Sequence, residues 1–260
     1  MDKNNSKSGR TIARLLEEEI RVSNALIRGS HSLSLSEKRI VYACLFNLRE
    51  SCLIDGRYKF KLTAKNFSKI FEIDLDTAYT QLKSAKRLMK RVARTVEKTP
   101  EGRKEQLYVW VSGVTYHHGE GWVEIGFSPE MTPHLFEIKL SNGFTSYYLK
   151  QTSALRSVYA WRLFELMMQF KKSGLLRISI EDFYYAMEAP LSCRKDLFNL
   201  KKRIIEPAVK ELSTKNNMKI VWECKKKEGR KVTGLEFKFN KNFQSKSVFH
   251  ELGELNLTEL

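Results

Sequence analysis

A basic segment in the C-terminal half of the chain carries side chains that can read DNA bases. If residues 194–212 form a helix, about 100° per residue places its apolar side chains on one stripe: Leu197, Leu200, Ile204, Ala208 and Leu212. The outer side then carries Lys195, Asn199, Lys202, Arg203 and Glu206. Lysine and arginine donate to guanine O6 and N7, and asparagine pairs with N6 and N7 of adenine. We therefore predict that Lys195, Asn199, Lys202 and Arg203 contact bases in a major groove.

Further cations lie close to this segment in the sequence. Arg194 and Lys201 project nearer the apolar stripe, so we predict that they bind phosphates. A hairpin tip follows, whose cations are predicted to hold the DNA backbone: Lys225, Lys226, Lys227, Arg230 and Lys231. A cationic helix face is often only a solvated surface. Residues 192–231, however, hold 13 Lys and Arg against 5 Asp and Glu, and this excess favours contact with nucleic acid.

Pro207 limits the length of the reading segment. Proline lacks a backbone N–H and its ring clashes with the preceding turn, so we predict a kink there. The reading segment should therefore span residues 194–206. Its N-terminus also offers free N–H groups to a phosphate.

A second cationic helix is predicted in the N-terminal half. Asp74 or Asp76 opens it, and apolar side chains at three- and four-residue steps continue to about residue 94. Its other face gathers Lys83, Arg87, Lys90, Arg91 and Arg94. Because no Asn or Gln shares that face, we predict contacts to the DNA backbone rather than to bases; a merely solvated face is the alternative.

The composition favours a polyanionic partner. The chain of 260 residues holds 46 Lys and Arg against 30 Asp and Glu, a formal net charge of +16. Such an excess favours nucleic acid, because binding releases counterions. No apolar run reaches the roughly 18–20 residues of a membrane-spanning helix, and the first ten residues lack the apolar core of a secretory signal. We therefore expect a cytoplasmic protein without a membrane partner.

The sequence offers little for catalysis. The four cysteines are scattered, so neither a metal site nor a disulfide framework is predicted, and no cofactor is expected. His117 and His118 are adjacent, and in a strand their side chains would point to opposite faces. No phosphate-cradling G-x-x-x-x-G-K-[ST] motif occurs. We predict a protein that is not an enzyme; a DNA-nicking replication enzyme and a plain transcriptional repressor remain alternatives.

The order of predicted elements occurs twice along the chain. The first half predicts helices over residues 11–28 and 34–48, a strand over 58–63, helices over 64–71 and 74–94, a linker over 98–106, and strands over 107–116 and 122–127. The second half predicts a helix over 155–172, a strand over 176–180, helices over 181–187 and 194–212, and strands over 218–224 and 232–239. This order is typical of a winged helix, so we predict an α+β protein with two tandem winged-helix domains.

The predicted domain boundaries follow from this duplication. Residues 1–23 should form a mobile arm and the start of the first helix, and residues 24–143 the N-terminal winged helix. Residues 144–240 should form the C-terminal winged helix, followed by an acidic tail over residues 241–260.

Several segments resemble the initiator replication proteins of iteron-containing plasmids. Residues 158–165, reading VYAWRLFE, are similar to that family's core helix. Residues 200–203 (LKKR), 209–212 (VKEL) and the lysine-rich tip at 225–231 are similar to its recognition helix and wing. The resemblance covers about residues 22–239. Within the helix, Asn199, Lys202 and Arg203 fall at positions that are basic or polar in the family, whereas Asp196 and Pro207 depart from its pattern and leave the preferred DNA sequence open.

The resemblance implies a function and partners. It implies two winged-helix domains that bind direct repeats in double-stranded DNA at a plasmid origin as a monomer. The C-terminal domain would read bases while the N-terminal domain holds the backbone. It further implies dimers that repress the chain's own gene at an inverted repeat, conversion to monomers by host chaperones, and recruitment of the host helicase and the chromosomal initiator.

Overall fold

The first described elements are a strand and a short helix. The computed structural model describes residues 19–46, 52–54, 57–117, 119–136, 143–226 and 232–240. Strand β1 (Glu19–Ser23) precedes helix α1 (Asn24–Arg28). The predicted helix over residues 11–28, which would have started before residue 24, is wrong for residues 19–23, because these residues form strand β1. Residues 1–18, most of the predicted mobile arm, and the predicted acidic tail at 241–260 lie outside the described residues.

Strand β1 forms because it pairs with a strand that lies far along the chain. It pairs antiparallel with β8 (Phe144–Tyr148), with Ile20 opposite Tyr147. Ile20 and Val22 are buried while Glu19 and Arg21 are exposed, which is the alternation of a half-buried strand. The spacing of apolar residues near this segment also fits a helix, so the sequence pattern alone did not separate the two.

The N-terminal winged helix begins with elements that the sequence predicted, except for a short strand over residues 52–54. Helix α2 (Leu35–Phe46) is followed by β2 (Cys52–Ile54), β3 (Arg57–Thr63), α3 (Ala64–Phe71) and α4 (Leu75–Leu82). Ser34 and Glu37 form a capping box before α2, in which the Ser34 N–H donates to Glu37 Oε2 at 2.8 Å. Thr63 Oγ1 caps α3, and Asp74, one of the two residues predicted to open the next helix, caps α4.

The rest of this unit departs from the prediction. Helix α4 gives way to a 3-10 segment (Lys83–Lys90), then to a hairpin of β4 (Val92–Thr99) and β5 (Gly102–Val109). The predicted helix to residue 94 and the predicted linker over 98–106 are therefore wrong. In β4, Ala93 and Thr95 are buried while Arg94 is exposed, the period of a strand rather than of a helix. The wing follows as β6 (Val111–His117) and β7 (Trp122–Phe127), and then α5 (Thr132–Leu135).

The C-terminal winged helix follows β8 and a short helix α6 (Lys150–Ser153). Its elements are α7 (Val158–Met168), β9 (Leu175–Ser179), α8 (Ile180–Ala186) and α9 (Leu191–Lys195). A continuous helical stretch then comprises α10 (Leu197–Leu200), a π-helical turn (Lys201–Ile205) and α11 (Glu206–Lys215). The wing strands are β10 (Ile220–Lys226) and β11 (Val232–Phe239).

The two units share one sheet topology. In the N-terminal unit the strand order is β2-β3-β7-β6, and in the C-terminal unit it is β10-β11-β9. In each, the strand before the short helix pairs with the second strand of the wing: Phe60 lies opposite Ile125, and Leu176 opposite Phe237. The α+β fold class with two tandem winged helices is confirmed. The domain boundaries stay a prediction, although β1 and β8 pair across the predicted boundary at residue 143.

Buried charges connect helix α7 to α2, and through Arg162 to the ends of α1 and α8. Lys38 Nζ on α2 lies 2.8 Å from Glu165 Oε2 on α7, and both side chains are fully buried. Burial lowers the pKa of Lys38 to about 8, although the charge of the Glu165 carboxylate acts to raise it. Arg162 Nη2 donates to the Gly29 carbonyl at 2.5 Å, and its Nε donates to the Ala186 carbonyl at 2.9 Å. One side chain therefore links α1 of the first unit to α8 of the second.

Candidate nucleic-acid interface

The proposed reading helix is built on a complete apolar stripe. Leu200, Ile204, Ala208 and Leu212 are buried as the sequence predicted, and Leu197 is half-buried. Ile205 is also buried, because the π turn places one extra residue within the helical turn. The helix continues through Pro207 to Lys215. Pro207 has no N–H, so it cannot donate the hydrogen bond that an α-helix would form to the Arg203 carbonyl. The π-helical turn lies just before this proline.

Three of the four predicted base-reading residues lie on this helix. Lys202 and Arg203 are exposed, and Asn199 is half-buried. Asn199 Nδ2 donates to Asp196 Oδ2 at 2.6 Å, which holds the amide in place. The Asp196 carboxylate also caps the helix, since its Oδ1 accepts from the Phe198 N–H at 2.9 Å.

Lys195 is the residue that the structure separates from this group. The backbone of Asp196 is extended, with φ −135° and ψ 114°, so the predicted single helix over 194–212 is broken there. Lys195 is exposed but ends the preceding helix α9. The signal for this break was in the sequence, because aspartate is a favoured N-cap residue. The helical-wheel placement of Lys195 beside Asn199 is wrong, and its contact with a base stays a prediction.

The predicted phosphate-binding cations of this unit occupy different surroundings. Arg194 is exposed, and its Nε donates to the Ala189 carbonyl at 2.6 Å. Lys201 is half-buried, with Nζ 5.6 Å from the centre of the Trp222 ring. This agrees with its predicted position near the apolar stripe. Arg194 lies on α9, next to the reading helix, and Lys201 begins the π-helical turn within it.

The wing is only partly described. Lys225 Nζ lies 2.7 Å from Glu223 Oε1 and 3.6 Å from Glu236 Oε1. The hydrogen bond that Lys225 donates to Glu223 raises the pKa of Lys225, so this lysine stays charged. Lys226 is the last described residue of β10, whereas Lys227, Arg230 and Lys231 lie outside the described residues.

In the N-terminal unit the predicted cationic face is only partly assembled. Lys83, Arg87 and Lys90 are exposed on the 3-10 segment. Arg91 instead forms a two-pronged ion pair with buried Glu37, with both nitrogen–oxygen distances at 3.1 Å. Arg94 lies on β4, where its backbone N–H donates to the Ser30 carbonyl at 2.8 Å. The placement of these two arginines on one helical face with the others is wrong, because the helix ends before them.

A further lysine belongs to this cationic segment, and the sequence reasoning missed it. Lys86 is exposed three residues after Lys83, and three residues complete one turn of a 3-10 helix. The Tyr116 hydroxyl on β6 accepts from the Lys86 N–H at 2.9 Å and donates to the Lys83 carbonyl at 3.0 Å. The wing strand therefore fixes the cationic segment. On an α-helical wheel Lys86 lies about 60° from Lys83 and Arg91 about 80°, so the periodicity that placed Arg91 on this face could also have placed Lys86 there.

The described residues show nothing arranged for metal binding. Among them, no group of three or more His, Cys, Asp and Glu side chains is placed to hold an ion. His117 stacks on the Trp122 ring at 3.2 Å, and His118 lies outside the described residues. In the part of the chain that the structure covers, no helix has the length and apolar character needed to cross a membrane.

Comparisons with known proteins agree with this geometry. The PI protein of Escherichia coli is 23% identical over 253 residues, covering 85% of this chain and 82% of the relative. An E. coli replication initiation protein is 24% identical over 223 residues, covering 83% of this chain and 67% of the relative. The crystal structure of Pi initiator protein in complex with iteron DNA matches with a TM-score of 0.66 and 21% identity, covering 88% of this chain and 98% of that one, which shows a shared fold.

Two family signatures cover most of the chain. The signature described as Initiator Replication protein, WH1 matches residues 19–168, and that of Initiator Rep protein, WH2 matches residues 179–239. The first match alone spans more than half of the 260 residues. The chain therefore belongs to the initiator replication protein family, as the sequence predicted, and is a DNA-binding protein of tandem winged helices rather than an enzyme.

Proposed function

We propose that this chain initiates the replication of a plasmid by binding direct repeats in double-stranded DNA at the origin. The observation that carries the proposal is the group of Asn199, Lys202 and Arg203 on one helix of the C-terminal winged helix, where both cations are exposed and Asn199 is half-buried. A major groove admits one α-helix, and these side chains have the donors that base edges require. The resemblance in fold to an initiator that binds iteron DNA supports the same conclusion.

The N-terminal winged helix contributes affinity rather than sequence recognition. Its exposed Lys83, Lys86, Arg87 and Lys90 follow one another on a single short segment. Lysine and arginine bind phosphates without regard to sequence, and each neutralised phosphate releases counterions. Because Arg162 bonds both the Gly29 and the Ala186 carbonyls, it links the two units, and we infer that both engage one duplex together.

Further activities rest on the family resemblance. We infer that the bound initiator helps to open the origin and recruits the host helicase and the chromosomal initiator. We also infer that it forms dimers that repress its own gene and that host chaperones convert these dimers to monomers. The protein works in the cytoplasm, on plasmid DNA.

Selection of bound duplexes from random DNA tests the central proposal. The recovered sequence should recur as direct repeats in the replicon that encodes the chain, and footprinting should protect each repeat. A single inverted repeat in front of the gene, with no repeated site elsewhere, would instead identify a plain transcriptional repressor.

The remaining alternative is tested with supercoiled DNA that contains the repeats. Permanganate should modify thymines beside the repeats when the protein binds, because the strands there separate. After incubation with Mg²⁺, both DNA strands should remain covalently continuous. No protein should stay attached to the DNA once the protein is denatured. A nicked product linked covalently to a tyrosine would contradict the proposal and indicate a nicking enzyme.

A further inference from the structure

Phe198 is an apolar side chain in an unexpected place. It is 64% exposed, although large aromatic residues usually lie in the core. It occupies the first turn of α10, directly after the Asp196 cap. The helix does not need it for packing, because Leu200, Ile204 and Leu212 bury the opposite side of the same helix.

The ring lies among the side chains that are proposed to read DNA. Lys202 Nζ is 5.6 Å from the centre of the Phe198 ring, one helical turn away. Asn199 is the next residue and is held by Asp196. The exposed surface at the start of this helix therefore combines an aromatic ring, an amide and an ammonium group.

We propose that Phe198 determines specificity by packing against the 5-methyl group of a thymine in the major groove. The inference rests on the proposed function and adds an apolar contact to the polar ones. Thymine alone among the four bases presents a methyl group in the major groove, and phenylalanine is one of the residues that contact it. The neighbouring cation Lys202 draws the negatively charged duplex to this surface, while the ring itself offers a phosphate no hydrogen-bond donor.

The test uses duplexes that differ only in one methyl group. The site that the full chain binds is first determined by selection from random DNA. Each thymine in that site is then replaced in turn by deoxyuridine. Wild type should lose affinity about fourfold at one or two positions, the effect of removing one buried methyl group. Phe198→Ala should bind thymine and deoxyuridine duplexes equally at those positions, and Phe198→Leu should keep part of the difference.

A matched control removes an exposed apolar side chain elsewhere. Leu107 is 56% exposed on β5, outside both helical segments that are proposed to contact DNA. Leu107→Ala should show the wild-type pattern of deoxyuridine effects. Circular dichroism melting of all variants should match wild type, since neither side chain contributes to the core.

The outcomes separate this inference from the proposed function. If wild type binds its repeats but is indifferent to every deoxyuridine, or if Phe198→Ala keeps the wild-type pattern, the thymine contact is wrong and the proposed function stands. If wild type binds no repeated duplex site, the proposed function is wrong and this inference with it. If Phe198→Ala changes the sedimentation of the DNA-free chain and the deoxyuridine scan is flat, the ring instead contacts a second copy of the protein.

Discussion

The two winged helices use the same topology but present different chemistry to solvent. In the N-terminal unit, the helix after α3 stays regular only to Leu82, and the 3-10 segment that follows exposes cations and Met89. In the C-terminal unit, the corresponding helical stretch continues from Leu197 to Lys215 and exposes an aromatic ring and an amide beside its cations. A duplicated framework can thus hold the DNA backbone with one copy and read bases with the other.

The largest expected effect concerns the buried charges around α7, which lie apart from the exposed faces of the two units. Glu165→Gln leaves Lys38 and Arg162 buried together without a carboxylate. Loss of one partner of a buried ion pair typically costs about 3–5 kcal/mol, so we expect a loss of this size in the free energy of unfolding, measured in urea.

The control for this variant is an ion pair at the surface. Glu124→Gln removes a carboxylate that lies 3.6 Å from Lys59 Nζ, with both side chains more than a third exposed. Its effect should stay below about 1 kcal/mol. Equal losses in the two variants would show that the buried pair stabilises the fold no more than an exposed pair does.

The next effect concerns base reading in the C-terminal unit. Arg203→Ala should weaken binding to the selected site by about 1–3 kcal/mol and relax the base preference at one position. Lys210→Ala removes an exposed cation farther along the same helix and should leave that preference unchanged. Fluorescence anisotropy with single-base variants of the site measures both. An unaltered preference in Arg203→Ala would remove this residue from the reading group.

A comparison of two helix caps should give a smaller effect. Asp196→Ala removes the cap of α10 and the hydrogen bond that holds Asn199, at a cost of about 1 kcal/mol in stability. Asp74→Ala removes the cap of α4, the matching helix in the N-terminal unit. Both should lower the urea midpoint, but only Asp196→Ala should change the preference for the base that Asn199 contacts. A changed preference in Asp74→Ala would contradict the division between the units.

The smallest effect concerns backbone contact by the N-terminal unit. Lys90→Ala should weaken all DNA sequences alike and lower the slope of log affinity against log salt by about 1. Lys104→Ala removes an exposed lysine from β5 and should leave the slope unchanged. A loss confined to the selected site would give Lys90 a role in reading bases.

Sequence patterns predicted the parts of the fold that local chemistry determines. Helix α3 (Ala64–Phe71) lies at its predicted bounds, because a strand with period-two alternation ends at Thr63, which can cap it. The buried stripe of the reading helix was also predicted, since it needs only the periodicity of one segment. The same order of predicted elements occurs in both halves of the sequence, and this predicted the tandem winged helices.

The errors arose where distant partners or irregular geometry decide the structure. Strand β1 depends on β8, more than 100 residues away, so its own periodicity could not identify it. The helical segment ends at Lys90, and this moved Arg91 and Arg94 off the predicted cationic face. Phe198 was overlooked because an apolar side chain beside a buried stripe is usually counted as core.

The most direct test of the division between the units measures discrimination rather than affinity. Wild type, Arg203→Ala and a triple variant of Lys83, Arg87 and Lys90 to alanine are each titrated with the selected site and with every single-base change in it. The triple variant should bind all duplexes more weakly while keeping the wild-type ratios between them, whereas Arg203→Ala should lose the ratio at one position. Loss of those ratios in the triple variant would contradict the assignment of base reading to the C-terminal winged helix.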